Sequence, residues 1–115
     1  GGPLTTSLVS AKLLYMNKTM LAKAEGIAGL LSCIAHPSRL MIICMLLKRE
    51  MFVHEVIEKL GTTKGNISQH LRVLADRGLI QKRRDGNRIF YSIKDPNLAE
   101  LISRIKKLYC PNFDL

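Results

Sequence analysis

Residues 54–94 read HEVIEKLGTTKGNISQHLRVLADRGLIQKRRDGNRIFYSIK, and this stretch decides the fold. A short helix is expected over residues 54–60, and Gly61-Thr62-Thr63 makes a turn. Over residues 66–77 the apolar Ile67, Leu71 and Leu74 fall on one face with polar residues opposite, and Gly78 supplies a C-terminal stop. A helix, a short glycine-containing turn and an amphipathic helix make a helix-turn-helix. The period then changes from helical to alternating. Residues 79–84 and 88–93 flank Asp85-Gly86-Asn87, a strong hairpin signal.

Upstream, residues 17–35 predict a helix, with Leu21, Ala24, Ile27, Leu30, Leu31 and Ile34 at three- and four-residue spacing. Residues 8–16 either extend it or form a separate short helix. His36-Pro37-Ser38 interrupts the pattern, because the residue before proline is driven out of the α region. Pro37 then opens a second helix running to about Lys48. Its eight apolar residues from 40 to 47 are too many for one face of a small core, so part of this helix is expected to meet another helix or another chain. Downstream, Asp95 at the N-cap and Pro96 at N1 open a last helix to about Tyr109, with an apolar stripe of Leu98, Leu101, Ile102, Ile105 and Leu108. The expected fold is mainly α with a β-hairpin wing, a winged helix-turn-helix in the order α-α-α-α-β-β-α, and homodimeric. One domain is expected over 17–110, preceded by an extension (1–16) and followed by a tail (111–115). Gly1-Gly2-Pro3, with no initiating Met, is expected to be a cloning remnant.

The 115 residues include 47 % hydrophobic and 23 % charged, ordinary globular usage that argues against global disorder. An apolar run of eight falls well short of the roughly 20 residues that span a bilayer, and no signal-peptide pattern is present, so a cytoplasmic protein with no membrane partner is expected. Charge is the loudest signal: 18 Lys and Arg against 9 Asp and Glu give +9. A small domain this basic meets a polyanion, nucleic acid ahead of an anionic membrane surface. The excess concentrates in residues 61–94, where eight basic side chains face two acidic ones. No paired carboxylates, nucleophile–base set or phosphate loop appears, so no catalytic residue and no cofactor is assigned.

The helix over 66–77 carries Asn66, Ser68, Gln69, His70 and Arg72, residue types that read base edges and phosphates. They cluster toward its N-terminus, the part that enters a major groove. Thr62, Thr63 and Lys64 lie just before it, where backbone N–H groups favour a phosphate. Lys82, Arg83, Arg84 and Arg88 flank the hairpin tip and suit phosphates or an adjacent minor groove. A merely solvated basic face is the plain alternative. The helix-turn-helix and basic wing together weigh against it.

At these residues the chain resembles the ArsR/SmtB repressors. The matching stretches are Ala35-His36-Pro37-Ser38-Arg39-Leu40, then Asn66-Ile67-Ser68-Gln69-His70-Leu71-Arg72-Val73-Leu74, then Gly78-Leu79-Ile80 with the Asp-Gly-Asn-Arg wing and Phe90-Tyr91. They cover about residues 17–110. The resemblance implies a homodimer built on the first and last helices that binds double-stranded operator DNA at an imperfect inverted repeat and releases it to an inducer. Metal-sensing members place cysteines at the start of the third helix, or Asp, His and Glu ligands on the last. Here the first region reads Glu50-Met51-Phe52-Val53-His54-Glu55 and the last helix has no histidine, so no metal ligand is assigned. His36, His54 and His70 are scattered, with His54 expected on an exposed helix face and His70 on the DNA face.

Three cysteines are too few and too spread for a secreted disulfide framework or a zinc knuckle. Residues 39–47 around Cys44, and Leu108-Tyr109-Cys110, look like the persulfide-sensing branch of the family. There, one cysteine in the second helix and one at the end of the last are bridged by reactive sulfur species, which implies Cys44 and Cys110 as the sensing pair. Two structural thiols are the alternative. Arg104, Lys106 and Lys107 precede Cys110 and are expected to favour its thiolate while the helix C-terminal dipole opposes them, whereas Cys44, between Ile43 and Met45, is expected to hold its proton; Cys110 is then expected as the first nucleophile and Cys44 as the resolving thiol. Cys33 matches no sensing position and is expected in a dimer core. A metal-responsive repressor and a constitutive DNA-binding protein without a thiol switch remain the competing readings.

Overall fold

A computed structural model describes residues 3–112, with side chains from residue 8. The order is α1 (Pro3–Ile34), α2 (Pro37–Lys48), β1 (Met51–Phe52), α3 (Val53–Leu60), α4 (Lys64–Asp76), β2 (Ile80–Asp85), β3 (Arg88–Ile93) and α5 (Pro96–Tyr109). The chain divides into two compact units, residues 1–32 and 33–115. Gly1-Gly2 of the expected remnant and residues 113–115 of the expected tail lie outside the described residues.

The first unit is a single helix. Residues 8–16 extend it, with no separate element before residue 17 among the described residues. Its apolar side chains, among them Leu13, Leu14, Met20, Leu21, Ile27 and Leu31, are exposed. No single helix among the described residues is long and apolar enough to cross a membrane.

In the second unit the helix starts are set by local hydrogen bonds. His36 is extended (φ −147°, ψ 127°), and its Nδ1 accepts from the Ser38 N–H at 3.1 Å, which caps α2 with Pro37 at the position that needs no donor. Thr63 Oγ1 accepts from the Asn66 N–H at 3.2 Å to open α4, and Asp95 accepts from the Asn97 N–H at 2.9 Å to open α5. The end of α4 is a Schellman motif. Gly78 takes φ +76°, its N–H reaches the Ala75 carbonyl at 2.9 Å, and the Leu79 N–H reaches the Leu74 carbonyl at 3.1 Å. A side chain at residue 78 would strain that left-handed turn.

α2 is the centre of the core. Ile42, Ile43, Cys44, Met45 and Leu46 are all buried, five consecutive positions and hence every side of the helix. Elements α3, α4, α5 and β3 surround it, and the three helices supply Val56, Ile67, Leu71, Leu74, Leu98 and Ile102. Of the two expected alternatives, another helix or another chain, the middle of the run meets helices of its own chain. At its ends Leu40 and Met41 are exposed and Leu47 is half-buried.

The sheet has the order β1-β3-β2, antiparallel throughout. The hairpin is tighter than expected: Asp85 pairs with Arg88, leaving Gly86-Asn87 as a two-residue turn with positive φ at Gly86 alone, the type II′ pattern. The third strand, Met51–Phe52 against Tyr91 and Phe90, was not expected from the sequence; two residues carry too little alternation to be read.

Candidate nucleic-acid interface and thiol pair

The polar face of α4 is presented as expected at most positions. Asn66, Gln69 and Arg72 are exposed and Ser68 is half-buried, on the face opposite the buried Ile67, Leu71 and Leu74. Asn66 is tied to the turn: its side-chain amide donates to Thr62 Oγ1 at 3.2 Å while its N–H meets Thr63. Thr63 and Lys64 are exposed beside the N-terminal end of α4.

His70 corrects the sequence reading. It lies in the buried stripe at 6 % exposure, not on the DNA face. Its Nδ1 accepts from Arg39 Nε at 3.2 Å, and the same guanidinium donates from Nη1 to the Cys33 carbonyl at 2.9 Å. The His36 ring lies 4.4 Å away, centroid to centroid. Burial, then the charges of His36 and Arg39, push the His70 imidazole below its ordinary value. Positions 67, 70, 71 and 74 form one helical stripe, and that spacing was the signal for its burial.

The pairing register sorts the wing. Lys82 and Arg84 share a face with Ile80, Tyr91 and Ile89; Gln81, Arg83 and Asp85 share the other with Ser92, Phe90 and Arg88. On that second face Arg83 is engaged. It donates from Nε and Nη2 to both oxygens of Glu50, at 3.2 and 2.5 Å, and its guanidinium sits 4.6 Å above the Phe90 ring. The Arg83 hydrogen bond is the main reason the Glu50 carboxyl titrates below its usual range. Arg83 is thus a strut between the wing and the start of β1, not a guanidinium held ready for a phosphate. Arg88 lies 4.9 Å over Phe52, and Lys82 and Arg84 are exposed without a carboxylate partner among the described residues.

Between α4 and the sheet run two clefts. One, about 220 Å³, is lined by His54, Lys64, Ser68, Asn87, Arg88 and Tyr91 among others; the second, about 440 Å³, by Ser68, Arg72, Gln81, Lys82, Tyr91 and Lys94 among others. His54 is exposed as expected, but it faces the wing. Tyr91 was not singled out from sequence. It lines both clefts, and burial raises its hydroxyl while the Arg72 charge partly opposes this.

The thiols sit at opposite ends of the burial scale. Cys44 is 3 % exposed in the middle of α2; Cys110 is exposed at the C-cap of α5, its N–H on the Lys106 carbonyl at 2.8 Å. The fold brings the two within electrostatic reach: burial raises the Cys44 thiol, Lys106 and Lys48 oppose it, and a charge on Cys110 raises it further. Cys33 is buried at the end of α1. Among the described residues no three His, Cys, Asp or Glu side chains come together as a metal site.

Residues 36–82 match the family described as bacterial regulatory protein, arsR family. The HTH-type transcriptional regulator YgaV of Escherichia coli is 41 % identical over 91 residues, 78 % of this chain and 92 % of that protein. Reduced HlyU from Vibrio cholerae superposes with a TM-score of 0.76 at 31 % identity over 81 % of this chain and 98 % of that one. The transcriptional repressor BigR from Xylella fastidiosa superposes at 0.74 with 32 % identity over 82 % and 96 %. The helix-turn-helix, the basic wing and these relatives together identify the chain as a winged-helix member of the arsR family, a DNA-binding transcriptional regulator and not an enzyme.

Proposed function

We propose that the chain is a dithiol-controlled repressor, acting as a homodimer in the reducing cytoplasm, that binds operator DNA when reduced and releases it when reactive sulfur species bridge Cys44 and Cys110. The observation that carries this reading is a buried thiol on α2 that is raised first by burial and also by the exposed thiol at the end of α5. Gln69 and Arg72 read bases, with Asn66 and Ser68 beside them; Thr62, Thr63, Lys64, Lys82, Arg84 and Arg88 take phosphates. Dimerisation through α1 and α5 is supported by the exposed apolar side chains on each: those of α1, and Ile105, Leu108 and Tyr109 at the end of α5. A two-fold dimer fits an imperfect inverted repeat with half-sites about one helical turn apart.

The chemistry follows from exposure. The Cys110 thiolate attacks a sulfane sulfur of a polysulfide, whose shortened chain leaves with the electron pair, and Cys110 becomes a persulfide. Cys44, once deprotonated, attacks the Cys110 sulfur and expels hydrosulfide, leaving a disulfide; attack on a longer chain leaves a polysulfide bridge. Either product ties α2 to α5. A coupling of ~1–3 kcal/mol between bridge and DNA lowers affinity by ~5–150-fold.

The test is polysulfide treatment of metal-free protein, followed by intact and tryptic mass spectrometry and by DNA release. Cys44→Ser and Cys110→Ser are expected to bind DNA and fail to release it, while Cys33→Ser still responds. Release by Cys110→Ser at the wild-type level, or no sulfur-linked Cys44–Cys110 peptide, refutes the switch. Sedimentation as a monomer at micromolar concentration and moderate salt refutes the dimer.

A further inference from the structure

The cluster at the start of α2 has no part in the base-reading face or the thiol pair, yet it touches the helix that does the reading. Arg39 bridges two partners: it donates to the Cys33 carbonyl at 2.9 Å and to His70 Nδ1 at 3.2 Å. His70 is buried and is flanked in sequence by Gln69, with Arg72 two positions on. His36 caps α2 through its own Nδ1 and lays its ring 4.4 Å from that of His70. The backbone of α4 at the base-reading turn is therefore held to α2 by one side-chain hydrogen bond whose acceptor is a titratable ring nitrogen.

We propose that Arg39 and His70 are positioning residues for the DNA-reading helix, and that DNA binding requires His70 to be unprotonated. The reading rests on the DNA-binding role of α4 and is independent of the thiol switch.

A neutral imidazole with the proton on Nε2 offers Nδ1 as an acceptor, which the Arg39 guanidinium needs because it carries only donors. Protonation turns Nδ1 into a donor facing a donor and sets a second positive charge against Arg39 in a site shielded from water. The charges acting on His70 are those of His36 and Arg39, both from α2 and its cap; α3 and β2, which also pack against α4, contribute none. Burial and both neighbours thus oppose the proton. For a group whose folded pKa is depressed, the stabilisation is complete above the ordinary value of 6.5 and is lost as pH falls below it. Acidification should loosen the contact between α4 and α2 while the apolar stripe of Ile67, Leu71 and Leu74 holds the fold.

The probe is a duplex selected from a random-sequence pool by the wild-type protein at pH 7.5. Binding is measured by fluorescence anisotropy from pH 7.5 to 5.5 at constant ionic strength. The background is His54→Gln, so that the imidazole lining the wing cleft does not titrate. With His70 intact, affinity is expected to fall about tenfold across this range, a modest coupling. His70→Gln keeps a carbonyl acceptor for Arg39 without a titrating group. It is expected to bind within about threefold of its parent at pH 7.5 and to show a flat profile, whereas His70→Leu, which has no acceptor, is expected to bind weakly at every pH. A parent profile that stays flat, or a His70→Gln profile as steep as the parent's, overturns the proposal. Should His70→Gln fail to fold, the parent alone decides by NMR. Amides of residues 66–72 are expected to lose exchange protection in step with the His70 titration, and unchanged protection through that titration overturns the proposal.

Discussion

Helices α4 and α5 are near equals in length and amphipathicity, and the chain treats them differently. α4 buries its stripe from Ile67 to Leu74 within one chain and closes with a glycine Schellman turn. α5 buries only its first half, at Leu98 and Ile102. Beyond them Leu108 and Tyr109 stand 76 % and 80 % exposed, and the helix stops at an exposed thiol. The apolar stripe of α4 is thus covered without a second chain. The helix that ends at Cys110 leaves its second half uncovered within the chain.

The sharpest way to break this contrast is to truncate one apolar residue on each helix. Leu71→Ala, at 0 % exposure, is expected to cost about 2–5 kcal/mol in urea unfolding. Leu108→Ala is expected to leave the unfolding of the single chain nearly unchanged and to show its effect in the concentration dependence of sedimentation. Equal losses in chain stability would erase the distinction between the two helices.

Next in size are the effects on DNA. Gln69→Ala and Arg72→Ala are each expected to remove ~1–3 kcal/mol of discrimination between the selected duplex and random DNA. Arg84→Ala, on the free face of the wing, is expected to weaken both DNAs alike and to reduce the salt slope by about one. Equal loss on both DNAs for the α4 variants would return that helix to the role of a solvated face.

The smallest effect is expected at Arg83. Its guanidinium is shared between Glu50 and the Phe90 ring, so Arg83→Ala should change the salt slope less than Arg84→Ala does. The Glu50 carboxyl is held below its usual range by Arg83. Whatever the pair contributes is therefore present above the ordinary carboxylate value of 4.5 and fades as pH falls below it. A salt slope for Arg83→Ala matching that of Arg84→Ala would show that the strut opens on DNA.

The fold was legible because local chemistry and global pattern agree. Pro37, Gly78 and Asp95 each mark a helix end by a mechanism that needs no tertiary information, and the hairpin announces itself through Gly86, whereas α4 starts at Lys64 behind the Thr63 cap, two residues before the expected start. The site was less legible where a side chain's role depends on what faces it across the fold. His70 reads as polar in sequence, yet its acceptor meets Arg39, 31 residues away. Arg83 reads as one more wing cation, yet its partner is a glutamate 33 residues upstream. Two-residue β1 was invisible because its strand character comes wholly from pairing with β3. Whether α2 meets helices of its own chain or another chain stays open in the sequence, because a helix wrapped by four elements can bury every side, a matter of packing order that composition does not encode.

That small strand has a kinetic consequence. With Met51–Phe52 joined to β3, Phe52 lies 5.9 Å from Phe90, Arg88 rests on Phe52, and Arg83 is clamped to Glu50. The base of the wing is splined to the body of the domain, and the two-residue turn at Gly86-Asn87 leaves little loop to order. A finger already rigid when it meets a duplex loses little conformational entropy on docking. The wing is then expected to register in the first productive encounter instead of folding onto the DNA afterwards, so that association is governed by charge steering and lifetime by the contacts of α4.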